Sequence, residues 1–277
     1  AYAGSRNFYS LAAAVKEVFD FNEDEFLPVH QGRAAENILF STLVKKGNVV
    51  PNNTHFDTTE ANVLRNHGEP LNLPVKEALD TTREADFKGN MDATRLEQVL
   101  KKDAQKVPLV MLTVTNNSVG GQPVSMQNIR DVARACKKHK KLFFLDACRF
   151  AENAFFIKER GLGYAGKTIP EIVREMFSYA DGFTFSAKKD GLSNIGGILA
   201  CRDKKVFAEL KNLLIVIEGF PTYGGLACRD LESIAVGIRE AVSPEYLRNR
   251  VRQVRLLADE LHKAGVPVVR PTGGHAV

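Results

Sequence analysis

Apolar residues along the chain follow two rhythms. Short, nearly continuous apolar runs end abruptly in polar residues: VPLVMLTVT (107–115) passes into NNSVGGQP, KLFFLD (141–146) into ACRFAEN, and DGFTFS (181–186) into AKKDG, with GGILAC (196–201) close behind. Between these runs, apolar positions recur at helical spacing. In MQNIRDVARACKKHKK (126–141), Ile129, Val132, Ala133 and Cys136 share one face opposite basic residues, and IPEIVREMFSYA (169–180) carries proline at an early helical position. The alternation predicts βαβ units, hence an α/β fold with a mostly parallel sheet covered by helices. SPEYLRNRVRQVRLLADELHKAG (243–265) reads as a long amphipathic helix. GVPVVRPTGG after it reads as the first strand of a second, smaller domain.

Composition narrows the class. With 277 residues and 44% apolar content, the chain can bury a sizeable core as one large domain with an appendage. No apolar run approaches the ~18 residues that span a bilayer; the tightest cluster is LLIVI at 213–217. With no signal-peptide pattern at its start, the chain is expected to be cytoplasmic and to have no membrane partner. The net charge of +5 is spread out rather than massed in a tract, which fits an anionic ligand better than nucleic acid. Cys136, Cys148, Cys201 and Cys228 show no CxxC spacing, so they are expected to be reduced and mostly buried, with no zinc site. The chain opens on AYAGSRNFYS without methionine and closes on PTGGHAV, where an apolar strand is beginning; a piece of a longer protein is expected.

Candidate chemistry sits where the apolar runs stop. In parallel α/β sheets, ligands gather at the carboxyl ends of strands, where loops and helix N-termini meet. Asn116 and Asn117 follow one run, Asp146 and Arg149 the next, and Ser186, Lys188 and Lys189 a third. Each has an ordinary structural explanation when taken singly: an asparagine in a turn, an aspartate capping a helix, a lysine in solvent. A fourth element joins them, because PVHQGRAAENILF (28–40) reads as a glycine turn opening a helix whose free N–H groups suit phosphate, with Arg33 adding charge. The HQGR spacing matches neither a dinucleotide fingerprint nor a Walker loop.

A phosphate cradle, an aspartate at one strand end and a lysine at another are the parts that pyridoxal 5'-phosphate requires. Lysine carries the cofactor, a carboxylate keeps its pyridine nitrogen protonated, and donors hold its phosphate. The glycines after SAKKD let the backbone pass close to such a ligand.

The motifs AYAGSRNFY, HQGRAAEN, HFDTT, SVGGQPVS, FLDACRFAENAFFIKERG, MFSYADGFTFSAKKDG, EGFPTYGGL and PTGGHAV, in that order, resemble the β-eliminating lyases, the family of tryptophanase and tyrosine phenol-lyase, across nearly the whole chain. The resemblance implies the fold of the aspartate aminotransferase-like pyridoxal phosphate enzymes, with a mostly parallel seven-stranded sheet between helices. It divides the chain into an N-terminal helical segment (1–25), a cofactor-binding large domain (26–240), and a linking helix with the start of a truncated small domain (241–277). It makes Lys189 the cofactor lysine, Lys188 its neighbour, Asp146 the partner of the pyridine nitrogen and Arg149 a neighbour of the ring's phenolic oxygen. Gln31, Gly32, Arg33 and Ser186 would bind the phosphate and Phe56 would stack on the ring. Asn117 would contact substrate and cofactor, and Tyr2 would protonate the departing ring in a neighbouring subunit. Asn194 matches a monovalent-cation ligand, so K+ is a possible second cofactor by resemblance. The implied assembly is a homo-oligomer, dimer or tetramer, with shared active sites.

The implied reaction is β-elimination of an aromatic amino acid to pyruvate, ammonia and the free aromatic. Tryptophan is favoured over tyrosine because the family's tryptophanases carry Phe-Asp where this chain has Phe56-Asp57, whereas the phenol-lyase has threonine in place of that aspartate. A carboxylate suits an indole N–H and repels a developing phenolate. SNIGG and GYAGKTIPEIVREMFSYADG lean the other way. The family's N-terminal arm and most of its small domain, including the arginine that grips the substrate carboxylate, are absent from this chain, which alone need not turn over substrate. Threonine aldolase chemistry on the same cofactor, and a non-catalytic α/β ligand-binding module, are the alternative readings.

Overall fold

A computed structural model describes residues 4–277, so Tyr2 lies outside the described residues. Among them are ten α-helices: α1 Arg6–Phe19, α2 Gly32–Leu43, α3 Asp57–Arg65, α4 Ala93–Asp103, α5 Met126–Lys138, α6 Phe150–Arg160, α7 Ile169–Ser178, α8 Lys204–Ile217, α9 Cys228–Ala241 and α10 Pro244–Lys263. The strands are β1 Phe26–Val29, β2 Val49–Asn52, β3 Glu69–Asn72, β4 Leu109–Thr113, β5 Leu142–Asp146, β6 Gly182–Ser186 and β7 Gly197–Cys201.

The apolar runs are continuous because their strands are buried on both faces. Alternate residues point to opposite sides. Val110 and Leu112, Phe143 and Leu145, and Phe183 and Phe185 enter one core, shared with α1, α5, α6, α7 and α9. Leu109 and Met111, Phe144 and Leu199 enter the other, under α2 and α8. The first core centres on Phe19, whose ring lies 4.7 Å from that of Phe177, 4.8 Å from Phe150 and 5.0 Å from Phe183. Ser5 starts α1 by accepting a hydrogen bond from the Phe8 N–H, and Thr168 starts α7 in a reciprocal capping box with Glu171.

Seven strands are found among the described residues, but their ladders divide. Five form a sheet in the order β1-β7-β6-β5-β4, and β2 pairs only with β3. Three of the five pairings are parallel; β7 runs antiparallel to both β6 and β1. Asparagine side chains substitute for a ladder between β2 and β4. The Asn53 amide donates to the carbonyls of Thr113 (2.9 Å) and Gly89 (2.8 Å), while its oxygen accepts from the Thr113 N–H at 2.9 Å. Asn52 reaches the Thr113 hydroxyl at 3.1 Å. Because β1, β4, β5 and β6 all run the same way, their carboxyl ends share one edge of the sheet.

The expected strand after the last helix does not form. Residues 266–277 are irregular and fold back over the strand-end loops: Arg270 N–H donates to the Thr81 carbonyl, and Gly274 N–H to that of Gly121. No strand among the described residues pairs with this segment, and an apolar run without a partner ladder has no reason to extend. The buried Lys88 ammonium ties it down, donating to the carbonyls of Asp80, Arg83 and Arg270.

Asn53→Ala strands the buried Thr113 carbonyl and N–H and leaves the Gly89 carbonyl with only its 3.4 Å contact to the Asn116 amide. At about 1–3 kcal/mol for each unpaired group, offset by relaxation, the expected loss is about 3 kcal/mol, or roughly 10 °C in Tm. Thermal denaturation followed by circular dichroism checks this, and a shift of only one or two degrees contradicts the side-chain coupling of β2 to β4.

Candidate functional site

The shared strand edge opens into a pocket with an empty volume of about 700 Å³. Nine side chains expected from the sequence line it together with Gly32: Gln31, Arg33, Phe56, Asn117, Asp146, Arg149, Ser186, Lys188 and Lys189, contributed by five separate segments of chain. Glu36, Thr58, Thr113, Thr115, Cys148, Thr184 and Phe185 complete the wall.

Each group is positioned by the element it ends or begins. Ser186 closes β6, and the turn that follows brings the Lys189 ammonium to 3.2 Å from the Ser186 hydroxyl. Lys189 is half-buried and Lys188 exposed, its Nζ 3.5 Å from Gln31 Oε1. Gln31 is the N-cap of α2 and makes no side-chain cap bond, so the first turn of that helix points into the site without a capping oxygen. Gly32 is required by close approach: a Cβ there would stand 2.6 Å from that of Ser186. The helix start thereby abuts the strand carrying the lysines, which is a geometry suited to an anion.

Asp146 is one of two acids on the pocket wall. It is buried at the end of β5, and its Oδ1 has no hydrogen-bond partner. Burial pushes its carboxyl up, against the opposing pull of the Cys148 thiol and backbone, the Lys189 charge and Thr113. Desolvation and the neighbouring Asp146 push the Cys148 thiol well up. Thr115 Oγ1, Thr184 Oγ1 and Glu36 Oε2, all on the pocket wall, are likewise buried without a partner. Polar atoms left unsatisfied in this number mark a cavity that expects a polar ligand.

These residues fit pyridoxal phosphate. The unpaired Asp146 oxygen matches a protonated ring nitrogen, the half-buried Lys189 amine a carbonyl, and the uncapped start of α2 with Ser186 a phosphate. Phe56, at the N-cap of α3, supplies an aromatic wall.

Two expected residues lie elsewhere. Asp57 is exposed in the first turn of α3 and does not line the pocket. Asn194 is exposed in the loop before β7 and does not line it either. Among the described residues, no cluster of three or more His, Cys, Asp or Glu could hold a metal ion, and no helix is long and apolar enough to cross a membrane. The cysteines are free, with Cys136 and Cys201 buried and Cys148 and Cys228 half-buried.

Sequence reasoning missed Glu36, Thr113 and Thr184. The threonines had a signal, since each interrupts a wholly apolar strand, in VMLT and FTF. Glu36 had a weaker one, an acid on the buried face of α2. Its Oε1 accepts from the Thr59 hydroxyl at 2.5 Å, and burial together with the Asp146 charge pushes its carboxyl up to about 7.

A carboxyl raised in the folded state binds more protons there than in the unfolded chain, so stability falls as pH rises from about 4.5 to about 7 and the penalty is complete above that. Glu36→Gln should remove this term. In cofactor-free protein, the Tm difference between the variant and the wild type should grow in favour of the variant from pH 5 to pH 8. A pH-independent difference contradicts the burial argument.

The family described as beta-eliminating lyase matches residues 1–276. The chain is 52% identical over 276 residues to a tryptophanase of Hyphomonas neptunium, covering 100% of this chain and 60% of that protein. It is 50% identical over 278 residues to a tyrosine phenol-lyase of Fusobacterium nucleatum, with the same coverage. The chain therefore spans about 60% of the length of these curated relatives. A solved structure described as SPT with PLP superposes with a TM-score of 0.64 at 14% identity, covering 98% of this chain and 60% of that chain, and shares the fold. A match along essentially the whole chain, over a pocket built from the motif residues, shows that the chain belongs to the beta-eliminating lyase family.

Proposed function

We propose that the chain forms the cofactor-binding part of a pyridoxal phosphate-dependent lyase that eliminates the aromatic ring of an amino acid, tryptophan in the first instance. The observation that carries this reading is the meeting of a buried, partnerless Asp146 oxygen and the Lys189 amine in one pocket beside the start of α2. When bound, the cofactor supplies an electron sink for the charge that develops at the substrate Cα.

The chain's own residues supply the rest. Asp146 holds a positive charge at the ring nitrogen, which its buried position makes favourable because an ion pair relieves an otherwise costly lone charge. Gln31, Gly32, Arg33 and Ser186 hold the phosphate, and Lys188 adds charge at that edge. Lys189, set by its hydrogen bond to Ser186, would take the Cα proton as a free amine. Arg149 and Asn117 orient the oxygen atoms of cofactor and substrate. Phe56 packs on the ring plane and excludes water from it.

The net reaction balances with one water consumed: tryptophan yields indole, pyruvate and ammonia. Tyr2 is proposed as the acid for the leaving ring across a subunit boundary, which makes the working unit at least a dimer. The relatives named tryptophanase and tyrosine phenol-lyase support an aromatic substrate equally. The Phe56-Asp57 pair favours indole, although Asp57 is exposed in this chain and would have to be covered to read its substrate.

Two measurements test the reading. Borohydride treatment of cofactor-loaded protein, followed by peptide mapping, should attach the cofactor irreversibly to Lys189, and attachment at Lys188 contradicts the assignment. The full-length parent should release indole from tryptophan faster than phenol from tyrosine, and Asp146→Ala should lower either rate by at least about a thousandfold while retaining some cofactor. Retained elimination by Asp146→Ala overturns its role.

A further inference from the structure

Two buried polar atoms outside the pocket wall face each other without a hydrogen bond. Glu152, in the first turn of α6, has a side chain only 2% exposed, and its Oε2 lacks a partner. The Nδ1 of His275 also lacks one, and the two atoms are 3.7 Å apart. Glycines make the room for both. A Cβ at Gly121, where φ is +70°, would stand 2.7 Å from His275 Nδ1, and one at Gly274 would stand 2.7 Å from Glu152 Oε2. The segment that carries His275 is held by the Gln122 amide, which donates to the Pro271 carbonyl at 2.6 Å, and by the Gly274 N–H on the Gly121 carbonyl.

The other ring nitrogen fixes the chemistry. His275 Nε2 lies 2.8 Å from Asn117 Oδ1. Burial and the charges of Arg149, Arg250 and Lys189 push the imidazole down to about 3, so the ring is neutral and has one N–H. An amide oxygen only accepts, so that N–H is on Nε2, and Nδ1 presents a lone pair. A carboxylate oxygen opposite it would set lone pair against lone pair in a buried place. A proton on Glu152 removes the conflict, and closing the 3.7 Å gap by less than about 1 Å then gives both orphaned atoms their partner.

Every charged group facing Glu152 enters the balance. Arg149 Nη1 and Arg250 Nε stand 3.5 Å from its Oε1 and favour the ionised form. Burial opposes them and is the largest influence, leaving the carboxyl raised. Asp190, which accepts from the Ala151 and Glu152 N–H groups, is pushed up chiefly by burial, and the Tyr246 phenol is a further neighbour of these acids.

We infer that Glu152 is a positioning residue: it keeps a proton on Oε2, donates it to His275 Nδ1, and through the Nε2–H fixes Asn117 so that its amide nitrogen is the end left for the pocket's ligand. The inference concerns this chain's own tautomers; its consequence for substrate rests on the proposed role of Asn117.

The test uses cofactor-free protein labelled with 15N-histidine, with His275→Gln identifying the His275 signals. The ring of His275 should be the Nε2–H tautomer across the neutral range. Glu152→Gln, whose amide donates as the protonated carboxyl does, should keep that tautomer, and Glu152→Ala should give a mixture. An Nδ1–H tautomer in the wild type, or its appearance in Glu152→Gln, overturns the inference, because it would mean that an ionised Glu152 accepts from the ring. If Glu152→Ala does not fold, the wild type and Glu152→Gln decide alone. In loaded full-length enzyme, KM should stay within about twofold for Glu152→Gln and rise about tenfold for Glu152→Ala, the worth of one misaligned hydrogen bond. An unchanged KM in Glu152→Ala overturns the link to Asn117. Absence of lyase activity in every form, wild type included, counts against the proposed function and leaves the tautomer result standing.

Discussion

Asp146 is held at the end of a strand that is buried on both faces, with one carboxylate oxygen that nothing in the chain satisfies. Removing such a group from water costs several kcal/mol unless a cation or a proton joins it. The rest of the site is arranged around that demand. β5 cannot shift to relieve it, because Phe143, Phe144 and Leu145 lock the strand into cores on both sides of the sheet. The Lys189 ammonium lowers the cost from a distance, and the Cys148 thiol takes up part of the carboxylate. What is left is a standing preference for a positive charge in the pocket, and a protonated ring nitrogen provides one.

The anion end of the site comes from a different physical source. The first turn of α2 carries no side-chain cap, and Gly32 lets it approach Ser186 more closely than any other residue could. Helix N–H groups and a serine hydroxyl bind phosphate without a large desolvation cost of their own. A ligand with a cationic ring at one end and a dianion at the other is thus matched end for end by a buried acid and a helix start.

Much of this was legible along the chain because strand ends are where apolar runs stop. The runs ending at Asp146 and Ser186 are observed as β5 and β6, and the residues just beyond them line the pocket. β1, β2 and β3 were not legible: each has four residues, and FLPV, VVPN and EPLN contain proline, which speaks against a strand. The gap between β2 and β4 was hidden because an asparagine reads as a turn, not as a side chain that takes the place of a ladder. GVPVVRPTGG read as a strand on composition alone, and composition does not show whether a partner exists. Glu36, Glu152 and His275 were out of reach because what distinguishes each is what it faces across the fold.

Two tiers of buried acid therefore surround the site. Asp146 and Glu36 line the pocket, Glu36 with one oxygen held by Thr59, whereas Glu152 lies outside its wall against His275. The account depends most on Asp146, and the protonation of the bound cofactor's ring nitrogen is the most direct measure of it. With 15N-labelled cofactor in the wild-type protein, the nitrogen signal should remain that of the protonated ring across the neutral range and become that of the unprotonated ring in Asp146→Ala. A wild-type signal that titrates as the free cofactor does would contradict the account.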